Sequence, residues 1–189
     1  MIAARRNEDQ QLRELRRKRI KYSYLRLIIF STLLFSYWGS ASTDEHFNIP
    51  VLTDWSEIRS AQAKKNTLLV LLVEQSDCHY CDTIKRDFIG PALTLDAYGE
   101  EVIYRRLSID PNLLIRFNGK RISTRDFVKK FDAVYAPTVL FLGPEQNTVA
   151  DNLVGISNPD YYGHYFEKSI IDSLEQLKIE DLKQLTNHC

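Results

Sequence analysis

The sequence predicts an α/β domain of three layers around a mixed central sheet, preceded by a basic segment and an apolar signal or anchor helix. Three observations carry that expectation. Apolar runs of strand length alternate with stretches of helical period, the last two strands are joined by a short turn, and charge is divided along the chain. The 189 residues favour one domain with extensions over two full domains. At 44% hydrophobic and 26% charged residues, the chain can bury a core, which excludes a disordered or collagen-like protein. Three cysteines are too few for a disulfide scaffold.

The net charge of +0 is a cancellation. Up to Ala41 there are 9 Lys/Arg and 3 Asp/Glu, and beyond it 16 and 22. The run Arg16-Arg17-Lys18-Arg19-Ile20-Lys21 precedes an apolar stretch from Leu25 to Trp38, broken by Arg26 and small hydroxyl residues. That order marks membrane insertion with the basic side left in the cytoplasm. A nucleic-acid-binding arm gains nothing from such an apolar neighbour. The run from Leu27 to Trp38 is shorter than the ~20 residues of a full span and suits a cleaved signal, with Gly39-Ser40-Ala41 as its small residues. Tyr22, Tyr24, Tyr37 and Trp38 resemble the interfacial belts of a retained anchor, and Arg26 has the reach to snorkel. Both outcomes stay open. Either puts the acidic remainder outside the cytoplasm, on the periplasmic side. The expected division is a segment over residues 1–41, a linker over 42–53, the domain over 54–178 and a tail over 179–189.

Within the domain, Asp54-x-x-Glu57 has the form of a capping box ahead of Trp55, Ile58 and Ala61, and Lys64-Lys65-Asn66 ends that helix. Thr67 to Val73 is an unbroken apolar run, the pattern of a strand covered on both faces. After Ser76-Asp77 a helix from Cys78 places Cys81, Ile84 and Phe88 on one face, with Gly90-Pro91 as its stop. Val102 to Ile109 alternates as a strand. Phe117-Asn118-Gly119-Lys120 carries a hairpin signal, and a short helix from Thr124 buries Phe127, Val128 and Phe131. Thr138 to Leu142 reads as a strand, residues 143–147 as a turn, and Thr148 to Val154 as the partner strand. The last helix starts near Pro159-Asp160 with Tyr162, Phe166, Ile170, Leu174 and Leu177 on one stripe.

The chemistry centres on Cys78-His79-Tyr80-Cys81. Residues three apart on a helix have Cβ atoms about 5–6 Å apart, so a small adjustment lets the two sulfurs bond. At a helix start Cys78 faces unsatisfied N–H groups and the positive end of the dipole, which favours thiolate over thiol. Cys81, one turn inside, keeps its proton longer. Cys78 is therefore the expected nucleophile and Cys81 the resolving cysteine. His79 adds a donor or positive charge that makes the pair more oxidising, and Tyr80 shapes the surface around it. As a structural staple the pair stabilises little, roughly 2 kcal/mol for so short a loop. A zinc site needs four ligands, and His79, His164, His188 and Cys189 are scattered. Soft thiolates suit Cu(I) better, so copper delivery is the competing function. No cofactor and no resident metal is expected.

Ala136-Pro137-Thr138 puts a proline at the entrance of an apolar strand, ordinarily an edge device. The functional alternative is a cis bond that lets Ala136 pair with an incoming peptide strand beside Cys78.

The chain from about Asp54 to Leu177 resembles a thioredoxin-fold protein, and within that superfamily the SoxW-type thioredoxins. The resemblance lies in Leu71-Leu72-Val73-Glu74-Gln75-Ser76-Asp77-Cys78-His79-Tyr80-Cys81, in Asn118-Gly119 with the helix Thr124 to Phe131, in Ala136-Pro137-Thr138-Val139-Leu140-Phe141, and in Gly155 with Pro159-Asp160. It implies a cis bond at Pro137, Cys78 as nucleophile, Cys81 as resolving cysteine, and an exported protein that reduces disulfides of other exported proteins. His79 stands where proline is usual, Ala136 where threonine is common, and Asp77 where thioredoxins carry tryptophan. The expected partners are exported proteins bearing disulfides or dithiols, a membrane thiol-disulfide recycling protein, and the membrane itself between Leu25 and Trp38.

Glu74 has two readings: a partly buried carboxylate that helps deprotonate Cys81, or, preferred, a strand-end residue with its head in water. Arg105 and Arg106 read as solvated strand charges. His164 and Tyr161-Tyr162 belong to the last helix and its packing. Cys189 is a mobile bystander or a dimerising thiol, the former preferred at a chain end.

Overall fold

The computed structural model describes residues 48–187. The basic run, the apolar stretch between Leu25 and Trp38, His188 and Cys189 lie outside the described residues. Among those described, no helix is long and apolar enough to cross a membrane.

Helix α1 (Trp55–Lys65) begins at Asp54, whose side chain accepts the Ser56 N–H at 2.8 Å. It ends at Asn66, which adopts a left-handed conformation and returns its N–H to the Gln62 carbonyl. Strand β1 (Leu68–Glu74) is buried at every position. Helix α2 (His79–Ile84), a π-helical turn over Lys85–Ile89 and helix α3 (Gly90–Thr94) follow without a break. Gly90-Pro91 therefore does not stop the helix, contrary to expectation. The wide turn, in which the Gly90 N–H reaches back to the Lys85 carbonyl, admits a proline that an unbroken α-helix would exclude. It also shifts the helical register: Ile89 is buried, while Phe88 is only half-buried, against Tyr162 with ring centroids 4.8 Å apart.

Strand β2 (Val102–Ser108) precedes a hairpin of β3 (Leu114–Phe117) and β4 (Lys120–Ser123). Its turn has positive φ at Asn118 (49°) and Gly119 (77°), as Asn-Gly turns require. Helix α4 (Thr124–Lys129) is capped by Ser123 and buries Phe127 and Val128. Strand β5 (Thr138–Leu142) then pairs with β6 (Leu153–Val154). The partner strand expected from Thr148 is thus interrupted. Thr148 makes one bridge to Leu142, and Asn152 turns away to donate from Nδ2 to the Phe131 carbonyl at 2.8 Å. Helix α5 (Pro159–Asn187) closes the fold.

The sheet order is β2-β1-β5-β6, with β1 parallel to β2 and antiparallel to β5. Successive side chains of β1 point to opposite faces. Leu68, Val70 and Leu72 join Ile84, Ile89 and the α5 stripe Tyr162, Phe166, Ile170, Leu174 and Leu177. Leu69, Leu71 and Val73 meet Trp55, Ile58, Phe127 and Phe131. Three layers result, as the sequence predicts, and an apolar core lies on each side of the sheet. Two boundaries differ. Residues 49–52, expected as linker, belong to the sheet: Arg106 donates its N–H to Pro50 and its carbonyl accepts from Leu52, while Ile49 and Leu52 are buried. The expected tail from residue 179 continues α5, because nothing helix-breaking occurs before its end.

Candidate functional site

Strand β1 delivers the chain to the site, and the short loop after it turns at Asp77, where φ is 56°. Cys78 and Cys81 are joined in a disulfide, with Cα atoms 5.2 Å apart. Cys78 occupies the cap of α2 in extended conformation. Its Sγ accepts the Cys81 N–H at 3.2 Å, and its carbonyl accepts from Cys81 and Asp82 at 3.0 and 3.2 Å. The sulfur of Cys78 therefore sits where a helix offers N–H groups to a negative charge. Cys78 is half-buried and Cys81 is 1% exposed, so an incoming sulfur meets Cys78 first. His79 and Tyr80 are exposed beside it, with ring centroids 6.0 Å apart.

The Ala136–Pro137 bond is cis. Because Thr138 pairs with Val73, Pro137 lies at the end of the sheet from which the Cys78 loop departs. Its carbonyl accepts the Gly155 N–H at 2.8 Å, and Thr138 Oγ1 donates to the Tyr135 carbonyl at 2.7 Å. Pro137 is buried and Ala136 half-buried, with Tyr135 exposed next to it.

Glu74 does not have its head in water: it is 5% exposed. Its carboxylate accepts from Arg106 at 2.6 Å and from Lys85 at 3.1 Å. Arg106 is thus not a solvated strand charge. It is half-buried in an ion pair and also donates Nε to the Ile49 carbonyl. Arg105 is half-buried too, and burial pushes its pKa down against the opposing effect of Glu57. Lys85 bridges Glu74 and Asp82, the latter at 2.9 Å. Burial opposes the Lys85 charge, but the hydrogen bonds it donates to Asp82 and Glu74 outweigh it and raise the pKa. A buried carboxylate with two cationic partners is what low dielectric demands.

Sequence reasoning passed over Asp110. Its carboxylate accepts the Ser76 N–H at 3.1 Å, Ser76 Oγ at 2.6 Å and Ser108 Oγ at 2.7 Å. It anchors the loop two residues before Cys78 to the end of β2. The available signal was Asp110-Pro111, a carboxylate and a proline directly after an alternating strand. His164 lies on α5 away from these residues in sequence, Tyr162 is core and Tyr161 is exposed. No group of three or more His, Cys, Asp or Glu among the described residues is placed to hold a metal.

The sequence profile of a family described as a thioredoxin-like domain matches residues 56–170. Among solved structures, the chain is similar to mitochondrial thioredoxin 3 of Saccharomyces cerevisiae in its oxidized form, at 21% identity and TM-score 0.41, covering 64% of this chain and 94% of that one. A Fasciola hepatica thioredoxin is 17% identical at TM-score 0.43, with 64% and 99% covered. A Nicotiana alata thioredoxin is 17% identical at TM-score 0.43, with 66% and 94% covered. No curated protein sequence matches.

Proposed function

From the match over residues 56–170 the chain belongs to the thioredoxin-like family, and we propose that it is an extracytoplasmic thiol-disulfide oxidoreductase acting on exported proteins through Cys78 and Cys81. The observation that carries this reading is the pairing of an accessible, helix-capping Cys78 with a buried Cys81 in one disulfide. In the reduced protein, the Cys78 thiolate attacks one sulfur of a partner disulfide. A mixed disulfide forms and the partner's other sulfur leaves as thiolate, taking a proton from water. Cys81 then loses its proton and attacks the Cys78 sulfur, closing the internal disulfide and releasing the partner's second thiolate. Two electrons pass from this pair to the partner, and a membrane thiol-disulfide recycling protein returns them. Ala136 lends its backbone to the partner's strand beside the cis Pro137. His79 and Tyr80 form the exposed surface met by the partner, and Glu74 tunes the pair from below through Lys85 on the cysteine-bearing helix.

The test is turnover of insulin disulfides by the full-length chain with dithiothreitol as reductant. Cys78→Ser is expected to abolish turnover, and Cys81→Ser to accumulate mixed disulfides at Cys78. Undiminished turnover by Cys78→Ser overturns the reading.

A further inference from the structure

We propose that the β3–β4 hairpin and α4 form a basic docking face that selects partner proteins whose reacting disulfide lies beside an acidic segment. This rests on the disulfide-exchange reading above and names the substrate class of that same site. Charge placement is the first observation. Residues 116–130 carry six Lys/Arg and one Asp, while the other described residues carry ten Lys/Arg and nineteen Asp/Glu. An acidic domain thus collects its positive charge on one hairpin and the helix after it. All six cationic residues are exposed. Asp54 pairs with Arg116, Asp126 with Lys129, and the Arg125 charge acts on Asp110, but Lys120, Arg121 and Lys130 have no ion-pair partner among the described residues. The hairpin register sets Arg121 directly opposite Arg116, and like charges so placed repel. Asp54 relieves one of them. An arriving carboxylate relieves the other.

Position is the second observation. Arg125 Nε donates to the Ile109 carbonyl at 2.8 Å, and the next residue, Asp110, holds the loop before Cys78. The hairpin and α4 are spliced between Ser108 of β2 and Thr138 of β5, both at the sheet end that carries the disulfide. Arg125 thus ties the basic face to the residue that anchors the cysteine loop, and the chain on either side of that face joins the sheet end that carries the disulfide. Exposed charges act through water over about one Debye length, so the gain is in encounter rate and is removed by salt. Anionic lipid headgroups share this chemistry, but a membrane-binding face has no need of a tie to the loop that carries the disulfide.

The experiment reacts the reduced full-length protein, by stopped flow, with three synthetic cystine peptides flanked by Glu, Ser or Lys. At ~10 mM salt the Glu peptide is expected to react about tenfold faster than the Lys peptide, and the rates to converge by ~500 mM. Lys120→Glu with Arg121→Glu is expected to reverse that order and leave the Ser peptide within about twofold. Equal, salt-independent rates for all three peptides overturn the docking face and leave the redox reading standing. Absence of exchange with every peptide overturns the redox reading itself. Loss of binding to phosphatidylglycerol vesicles in the double variant, with the peptide order unchanged, assigns the face to a membrane and also overturns the proposal.

Discussion

Glu74 shows how a residue's neighbours reverse what its sequence position suggests. At the end of an apolar strand it reads as water-facing, yet Arg106 from the adjacent strand and Lys85 from the cysteine-bearing helix enclose it. Neither partner is adjacent in sequence, so the burial was not legible there. Arg106 left a faint trace, since it shares the alternation of buried Val102 and Tyr104 in β2. Removing the carboxylate takes away the Arg106 ion pair and leaves Lys85 with Asp82 alone. Breaking a fully buried pair costs about 3–5 kcal/mol, and the partial exposure of Arg106 and Lys85 reduces that here. Glu74→Ala is expected to lower stability by about 2 kcal/mol, read from urea unfolding midpoints. An unchanged midpoint would mean that the two cations find water as readily as they find Glu74.

Among the elements, those with long periodic patterns were readable and those set by local geometry were not. The apolar run of β1 and the stripe of α5 announce themselves because burial on a strand or helix repeats with a fixed period. The Asn118-Gly119 turn is legible because few residues tolerate positive φ. The π-helical turn at Lys85–Ile89 left no such mark: Pro91 reads as a stop unless the preceding turn is known to widen. The loop from β1 to α2 depends on Asp110, whose pKa is held down by hydrogen bonds from Ser76, then Ser108. A depressed carboxylate gives its stabilisation above its unfolded pKa, near 3.9, and loses it as pH falls through the lower folded value. The Ser76 amide resonance is therefore expected to hold its position down to about pH 4 and shift only below it. Asp110→Asn is expected to erase that acid transition. A shift centred near neutral pH in the unaltered protein would exclude Asp110 as the anchor.

For the molecule as a whole, the redox pair is an addition to a fold that stands without it. Two apolar clusters, one on each side of the sheet, supply the cohesion. The disulfide spans a sequence separation of 3 and so constrains the unfolded chain little. Reduction is expected to leave the far-ultraviolet circular dichroism unchanged and to lower unfolding free energy by at most about 2 kcal/mol. A collapse of structure on reduction would make the pair a staple. The cytoplasmic and membrane segments expected before residue 42 lie outside the described residues, and the candidate site was legible in sequence chiefly because both of its cysteines and its proline are chemically distinctive residues. The place of β1 has one more consequence. It needs β2 about 34 residues downstream on one edge and β5 about 70 residues downstream on the other. During synthesis, then, this water-averse strand emerges about 70 residues ahead of its second neighbour and waits for it. In that interval both thiols are open to wrong partners, and a holding chaperone has its clearest target in Leu68–Glu74.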